Sequence, residues 1–382
     1  MARRLVSEAE VVFGGKRHLM LAGSIIRGAA RPWPSPFAGA VDEVLALRGR
    51  TTCVLASGDP MLHGVGVLLA RRIKPEEMSV IPAPSAFSLA AARLGWSLSE
   101  VALLALHASP IDLVRPHLQP GAKIIALTAG AEAPRLIAEL LAGSGFGNSR
   151  ITVLEAQGGE RERIRSADAS SFALGDIDPL NVVAIEVIAG ADARVITSAT
   201  GLADDMFEHD GQITKREVRA VTLSLLAPRR GELLWDIGAG AGSIAIEWLL
   251  RGPSMRAIAL EARADRAARV RRNAQRLGVP GLEVIEGRAP AACDGLPTPD
   301  AIFVGGGVSA AGVIETAIAR LRDGGRLVAN AVTLESEALL LARHAALGGE
   351  LLRLSVARAD TIGGRQAWQP ARPLTQWVWI KP

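Results

Sequence analysis

Tyrosine is absent from the chain, and phenylalanine and tryptophan number seven each, so aromatics make up only 4% of the 382 residues. Stacking platforms for single-stranded nucleic acid are hard to build from so few rings, which argues against an RNA partner. Cysteine occurs twice, at Cys53 and Cys293, in different halves of the chain. That excludes a disulfide framework and a cysteine-based metal site. The six histidines form no H-x-x-x-H or H-E-x-x-H pair, so no metal centre is expected. Mean hydropathy is +0.25, yet no uninterrupted apolar stretch approaches the roughly 18 residues of a membrane span. The N-terminus, MARRLVSEAEVV, carries Glu8 and Glu10 and has neither an apolar signal core nor a small-residue cleavage site. The expectation is therefore a soluble, cytoplasmic protein with no membrane association. Lysine is scarce too: five of the 43 basic residues are Lys16, Lys74, Lys123, Lys215 and Lys381, and the other 38 are arginine. Arginine grips carboxylate and phosphate in a two-pronged geometry, which suits a polyanionic small substrate or RNA. A gene rich in arginine and alanine codons would look the same.

The most informative stretch runs from Leu233 to Leu250, LLWDIGAGAGSIAIEWLL. Its apolar start reads as a buried strand, Leu233 to Ile237, followed by glycines at 238, 240 and 242 and then an apolar-periodic helix. Glycines let the backbone turn sharply and approach a ligand, and the first helical turn offers unpaired N–H groups. Read as G-x-G-x-x-G from Gly238 the pattern fails at Ser243; read from Gly240, Ala245 satisfies its relaxed form, so a dinucleotide site stays open. Two acids favour another ligand: Asp236, inside the strand, and Glu261, at the end of the next apolar run, RAIALE. An acid, this glycine spacing and a second acid at the next strand end resemble the Rossmann-like S-adenosylmethionine (SAM) methyltransferases. There the loop holds the methionine part and the second acid pairs with the ribose hydroxyls.

A chain of 382 residues suggests two domains of about 190 residues each. In the first half, strands are expected at Val11–Phe13, Thr52–Ala56 and Ser79–Ile81, with helices at Val65–Arg72 and from Ser85 to Gly95, a parallel α/β layer. Ser57, Gly58, Asp59 and Pro60 end one strand and Pro82 to Ser85 the next, Ser85 being placed to cap its helix. Each lies where a strand's carboxyl end can carry a ligand loop, though such a stretch taken alone is more often a well-made turn. Between Val101 and Ile188 the texture changes to a mixed sheet, with strands at Lys123–Leu127, Ile151–Glu155 and Asn181–Ile188 and one clear helix, Pro134–Leu141.

LASGDPMLHGVG, IPAPSAFSLAAARLG, ALTAG and LEAQGGERERI together resemble the tetrapyrrole (precorrin) methylases of cobalamin biosynthesis, in particular the domain that methylates C5 of the ring. The resemblance implies a two-lobed α/β fold with SAM in the cleft between lobes, Gly58 and Asp59 lining it and Ser85, Ala86 and Thr128 nearby. Such domains open with a strand and a G-x-G-P-G loop; this chain starts within the helix that follows, so the resemblance implies either a start assigned too far downstream or a domain that has lost its first strand.

Residues 191–210, where apolar periodicity weakens and charges cluster, read as a linker between domains 1–190 and 211–382. Thr214 is placed to cap a helix that starts at Lys215 and ends at Pro228. Beyond the glycine loop come a helix at Arg263–Leu277 and strands at Arg256–Glu261, Leu282–Ile285, Asp300–Val304, Arg326–Asn330, Leu351–Val356 and Thr375–Ile380. With Leu233–Ile237 that makes seven, the last two forming an antiparallel hairpin, as in the methyltransferase variant of the doubly wound sheet. ITKREVR, the glycine loop, EGRAP and VGGG resemble the precorrin methyltransferases that methylate C15 and decarboxylate the ring C acetate. This resemblance implies SAM contacts from Thr214, Asp236, Gly238, Ala239, Gly240, Ala241, Gly242, Glu261 and Ala289, a precorrin substrate and a homo-oligomer. Arg288 stands where relatives commonly carry an acid.

The reaction so implied needs positioning more than strong acid or base, because meso carbons of a reduced tetrapyrrole are enamine-like and the macrocycle is an electron sink for decarboxylation. Few catalytic side chains are expected. Gly305 to Gly307 would leave room for a flat ring, or make a tight turn. The competing readings are an RNA base methyltransferase, which shares the architecture of the second half, and a module that binds SAM or tetrapyrrole without turnover.

Overall fold

Apolar runs too continuous to alternate mark strands covered on both faces, and they place the sheets of this protein. The computed structural model describes residues 1–35 and 37–382. The chain divides into one unit made of Met1–Ser109, Gly121–Ala142 and Gly147–Ile188 and another made of Pro110–Pro120, Gly143–Phe146 and Ala189–Pro382.

The first unit begins with α1 (Ala2–Glu8), β1 (Val11–Gly14), α2 (Lys16–Ala22), β2 (Ala29–Pro32), α3 (Ala40–Leu45), β3 (Thr52–Val54) and α4 (Val65–Ala70). Val11, Val12 and Phe13 are fully buried because β1 is the middle strand of a parallel sheet ordered β2-β1-β3. The strand expected at Ser79–Ile81 does not form. Pro82 and Pro84 follow it and cannot donate to a ladder, and the other neighbour of β1 is instead β2, exposed along its length. Helix α5 (Ala86–Leu94) has the expected ends: the Ser88 N–H donates to Ser85 Oγ at 3.1 Å, and Gly95 closes it in the left-handed conformation.

The mixed sheet is also as expected, with two additions. It comprises β4 (Val101–Ala105), β5 (Lys123–Leu127), β6 (Arg150–Glu155), β7 (Arg163–Asp168) and β8 (Asn181–Glu186), ordered β4-β5-β8-β6-β7, with α6 (Ala133–Ala142) following β5. Strand β7 hides in the polar run GGERERIRSAD because it is an edge strand, where charge guards against further pairing. Its Arg163 and Arg165 both donate to the fully buried Glu155 carboxylate of β6, at 2.7 and 2.9 Å.

The second unit contains α7 (Arg216–Leu226), β9 (Leu233–Ile237), α8 (Ser243–Leu249), β10 (Arg256–Glu261), α9 (Ala264–Arg276), β11 (Glu283–Glu286), β12 (Ala301–Val304), α10 (Val313–Arg320), β13 (Arg326–Ala331), α11 (Leu334–Leu347) and β14 (Glu350–Leu354). It ends with β15 (Ala357–Ile362), β16 (Arg365–Pro370) and β17 (Leu374–Ile380). Seven of these strands form one sheet ordered β11-β10-β9-β12-β13-β17-β14, parallel except for β17, which runs antiparallel to β13 and β14. One face packs on Leu223, Ile244, Trp248 and Val270 of α7, α8 and α9, the other on Val313, Ile314 and Leu340 of α10 and α11. This is the seven-stranded doubly wound sheet that the sequence implied. The terminal strands pair as expected but are not joined by a simple turn: β15 and β16 form a separate, exposed two-stranded ribbon between them.

The stretch 191–210 is packed in this unit, with Ile196, Leu202 and Phe207 in its core. What pins it is a buried ion pair. Arg219 of α7 and Glu247 of α8 are both fully buried, with Nε donating to Oε1 at 2.6 Å. The Gly201 and Leu202 N–H groups donate to the same carboxylate at 2.7 and 2.9 Å. Arg219 also donates to the Leu202 and Thr214 carbonyls and to Asp204, its guanidinium lying over the Phe207 ring. Removing one partner strands a buried charge, so Arg219→Met is expected to cost about 3–5 kcal/mol in urea-induced unfolding, and Arg219→Lys less. A loss below about 1 kcal/mol for the Met variant, the range of an exposed pair, would contradict this account.

Candidate active sites

Strand β9, buried along its whole length, delivers the chain to a loop that only glycine can make. Gly238, Gly240 and Gly242 have φ of 74°, 61° and 76°, a region that side chains enter at a cost. Space is short as well: a Cβ at 238 would stand 2.8 Å from the Gly306 carbonyl oxygen, and one at 242 would stand 2.6 Å from a Val270 methyl. Gly306 belongs to the loop after β12, so the two loops meet at the carboxyl ends of the strands between which the order of the sheet reverses. Open α/β sheets bind their ligands in that crevice. Of the two readings of Gly305 to Gly307, a turn requirement is visible at Gly307, with φ of 73°.

The loop is held from three sides. The Gly240 N–H donates to Glu261 Oε2 at 2.8 Å and the Arg263 N–H to Oε1 at 3.0 Å. Gly238 and Ala239 both donate to the Leu260 carbonyl, at 2.9 and 3.1 Å. From α9, the buried Asn273 donates to the Ala241 and Glu208 carbonyls, each at 2.9 Å, and accepts from the Glu208 N–H. Asn273 was not anticipated. A lone amide on the apolar stripe Ala267, Val270, Ala274 is the signal that marks it, since a buried amide must find partners.

Asp236 serves the helix rather than the loop. Its Oδ2 accepts from the Ala245 N–H at 3.1 Å, capping α8 from inside β9, while Oδ1 has no partner among the described residues. Burial pushes its carboxyl up to about 7, partly offset by the Ala245 N–H and reinforced by the Glu261 charge. Thr214 does not cap α7. The helix starts at Arg216, one residue later than expected, so the N-cap position falls on an extended Lys215, whose side chain has no acceptor to offer. The segment before it still borders the glycine loop: a Cβ at 240 would lie 3.6 Å from the Gln212 carbonyl. Ala289 is half-buried in the loop after β11.

In the first unit Gly58, with φ of 60°, packs on the start of α5, where a Cβ would meet the Ser85 Cα at 2.8 Å. Asp59 accepts the Met61 N–H at 2.8 Å within its own turn, and Ala86 opens α5 beside Ser85. Thr128, at the end of β5, donates to the Asn181 side chain. His18 Nε2 lies 2.7 Å from Ser57 Oγ, tying α2 to the loop after β3. Burial and then the nearby Arg17 charge lower its pKa below the usual histidine value. Next to this turn is a cavity of about 600 Å³, with His63 and His107 among its walls. None of these three histidines was anticipated, as no spacing links them in sequence. Among the described residues, no helix is long and apolar enough to cross a membrane, and no cluster of His, Cys, Asp and Glu is placed to hold a metal ion.

Residues 1–173 match the family model of the tetrapyrrole (corrin/porphyrin) methylases, and residues 205–381 that of the precorrin methyltransferase domain. A Sinorhizobium protein named precorrin-6Y C(5,15)-methyltransferase [decarboxylating] is 59% identical over 380 residues, covering 100% of this chain and 92% of the relative. A protein of the same name from Mycobacterium tuberculosis (strain ATCC 25618 / H37Rv) is 40% identical over 380 residues, covering 98% and 94%. The crystal structure of the C-terminal domain of precorrin-6Y C5,15-methyltransferase from Rhodobacter capsulatus shares 46% identity over 49% of this chain and 100% of that chain, with a TM-score of 0.47. Fold, loop and matches together define a methyltransferase joined to a tetrapyrrole methylase. The chain belongs to the family of decarboxylating precorrin-6Y C5,15-methyltransferases.

The buried Asp236 has a measurable signature. Its folded-state pKa lies above the ordinary aspartate value of 3.8, so between 3.8 and about 7 the folded chain keeps a proton that the unfolded chain has lost. Its contribution to stability therefore falls as pH rises through that window and is flat above it. Asp236→Asn is expected to unfold close to wild type at about pH 5 and at higher temperature than wild type at about pH 8. A gap that does not widen between the two would refute the assignment.

Proposed function

We propose that the second unit holds SAM at the Gly238–Gly242 loop and carries out the C15 methylation and decarboxylation, and that the first unit carries out the C5 methylation. The chain is a decarboxylating precorrin methyltransferase of cobalamin biosynthesis. The observation that carries the assignment of the second unit is the set of three left-handed glycines at the sheet's reversal point with Glu261 hydrogen-bonded to the loop. These residues fit the donor: the backbone is bare where a ligand must come close, and a carboxylate stands at the end of β10, where ribose hydroxyls would need an acceptor. Thr214, Asp236, Ala239, Ala241 and Ala289 complete that set, and Gly58, Asp59, Ser85, Ala86 and Thr128 form the corresponding set in the first unit. The working division is 1–190 for the C5 methylase, 191–210 for the connection and 211–382 for the C15 methyltransferase.

Bound SAM supplies an electrophilic methyl group. The chain's part is to hold the meso carbon in line with it and to exclude water, an effect of positioning. Loss of carbon dioxide from the ring C acetate leaves its electron pair in the conjugated ring. The proposed substrate is a small molecule rather than nucleic acid, handled in the cytoplasm. We propose that the exposed β15–β16 ribbon, with Trp368 73% exposed, lies in a contact between copies of a homo-oligomer. The native mass should then be a multiple of 40.0 kDa, falling towards the monomer for Trp368→Lys; a monomeric wild type would refute this.

Incubation with SAM and the metal-free precorrin substrate, followed by mass, tests the division of labour. Wild type should add two methyls and lose carbon dioxide. Gly242→Val should slow the C15 methylation and the decarboxylation by about 100-fold or more, the scale of a misplaced reactant, while C5 methylation continues. Unchanged carbon dioxide release in this variant would overturn the glycine-loop assignment.

A further inference from the structure

We infer that His63 accepts the proton released in the C5 half-reaction. The inference rests on the reading that the first unit methylates C5. A meso carbon carries one hydrogen, and its methylation must dispose of it. The enamine π pair of C5 forms the new C–CH3 bond as the S–CH3 bond breaks, its pair returning to sulfur to leave a thioether. The ring is then a cation until the C–H pair falls back into the conjugated system and the proton goes to a base.

The cavity beside the Ser57–Pro60 turn is where the first unit offers one. Its walls include Phe37, Met61, Leu62 and Leu68, an apolar surface suited to a flat macrocycle, and the titratable side chains lining it are His63 and His107. Asp59 does not line it and is occupied within its own turn by the Met61 N–H at 2.8 Å.

Of the two imidazoles His63 is the one held in a left-handed backbone conformation. It has φ of 56°, a conformation sparsely populated by residues with a Cβ and concentrated at functional sites. On one side the Leu62 N–H donates to the Asp59 carbonyl at 3.2 Å. On the other, Gly64 lies so close to Pro60 that a Cβ there would stand 2.6 Å from the Pro60 carbonyl oxygen. The ring itself is 6.0 Å from that of the buried Phe87 of α5, within the range of a favourable aromatic contact. His107 sits in the turn after β4. A neutral imidazole accepts a proton at neutral pH and returns it to solvent between turnovers.

The test uses the full chain, SAM and the metal-free precorrin substrate carrying deuterium at C5, with rapid quenching and mass analysis. Carbon dioxide release and C15 methylation in the same sample serve as the internal control. His63→Gln keeps a polar side chain but no usable base, and is expected to lower the C5 methylation rate by about 100-fold or more, the usual scale for a lost proton acceptor, with C15 chemistry intact. Deuterium at C5 should slow the variant more than the wild type. In His63→Gly, which suits the left-handed backbone, added imidazole should restore much of the rate; His107→Gln, in the wall of the same cavity, should show no enlarged isotope effect. An unchanged C5 rate in His63→Gln would overturn the inference. So would a loss that neither imidazole nor the isotope effect reports, since that is a structural effect, or a loss confined to His107→Gln. If wild type performs the C15 chemistry but no C5 methylation, the reading of the first unit fails, and the inference falls with it.

Discussion

The fully buried carboxylate of Glu247 and the guanidinium of Arg219 bind the second unit into a single piece. A charge with no access to water needs a complete set of partners, and these two draw theirs from three parts of the chain. Glu247 brings α8, the helix that the glycine loop feeds. Arg219 brings α7. The remaining donors and acceptors are backbone groups of Gly201, Leu202 and Thr214 and the side chain of Asp204. The segment that leads into α7 therefore cannot shift without leaving a charge exposed to an apolar core. Since Gln212 in that segment borders Gly240, the same pair that stabilises the unit also sets one wall of its crevice.

The other constraint is backbone conformation. At 238 and 242 the chain needs a left-handed turn and has no room for a methyl group, because Gly306 and Val270 stand within van der Waals distance. Gly58 in the first unit obeys the same pair of conditions against Ser85. Two unrelated sheets thus solve one problem alike: they end a strand in a loop with a left-handed glycine and bring a helix start or a second loop against it. The parallel strands gather such loops at one edge, which is why the informative residues of each unit lie there.

Much of this was legible in the sequence, because the signals were local. The run from Leu233 to Leu250 announces strand, glycine loop and helix by periodicity and by residue type, and Ser85 and Gly95 mark both ends of α5. Elements with no apolar periodicity were not legible: β7 looks like a solvated charge run, and β15 and β16 are exposed on both faces. Ser79–Ile81 was misread because three apolar or small residues resemble a strand until the prolines that follow are counted against it. Thr214 was misread as a cap for a subtler reason. A threonine before a helix is a good cap in isolation, but α7 begins one residue late, which puts Lys215 at the cap position and Thr214 outside it. Asn273, His18 and His63 act through partners more than 20 positions away in sequence, a distance at which residue spacing carries no information.

Glu261 gives the crevice a property of a different kind. Its two oxygens accept the Gly240 and Arg263 N–H groups, so the bend of the glycine loop is written into the protein by one of its own side chains. A flexible loop that must be ordered on contact loses conformational entropy with each molecule it captures, and part of the contact energy is consumed in that loss. A loop already ordered by its own carboxylate gives up little freedom. Whatever enters the crevice then meets a loop already in shape, and little of the contact energy is consumed in ordering it.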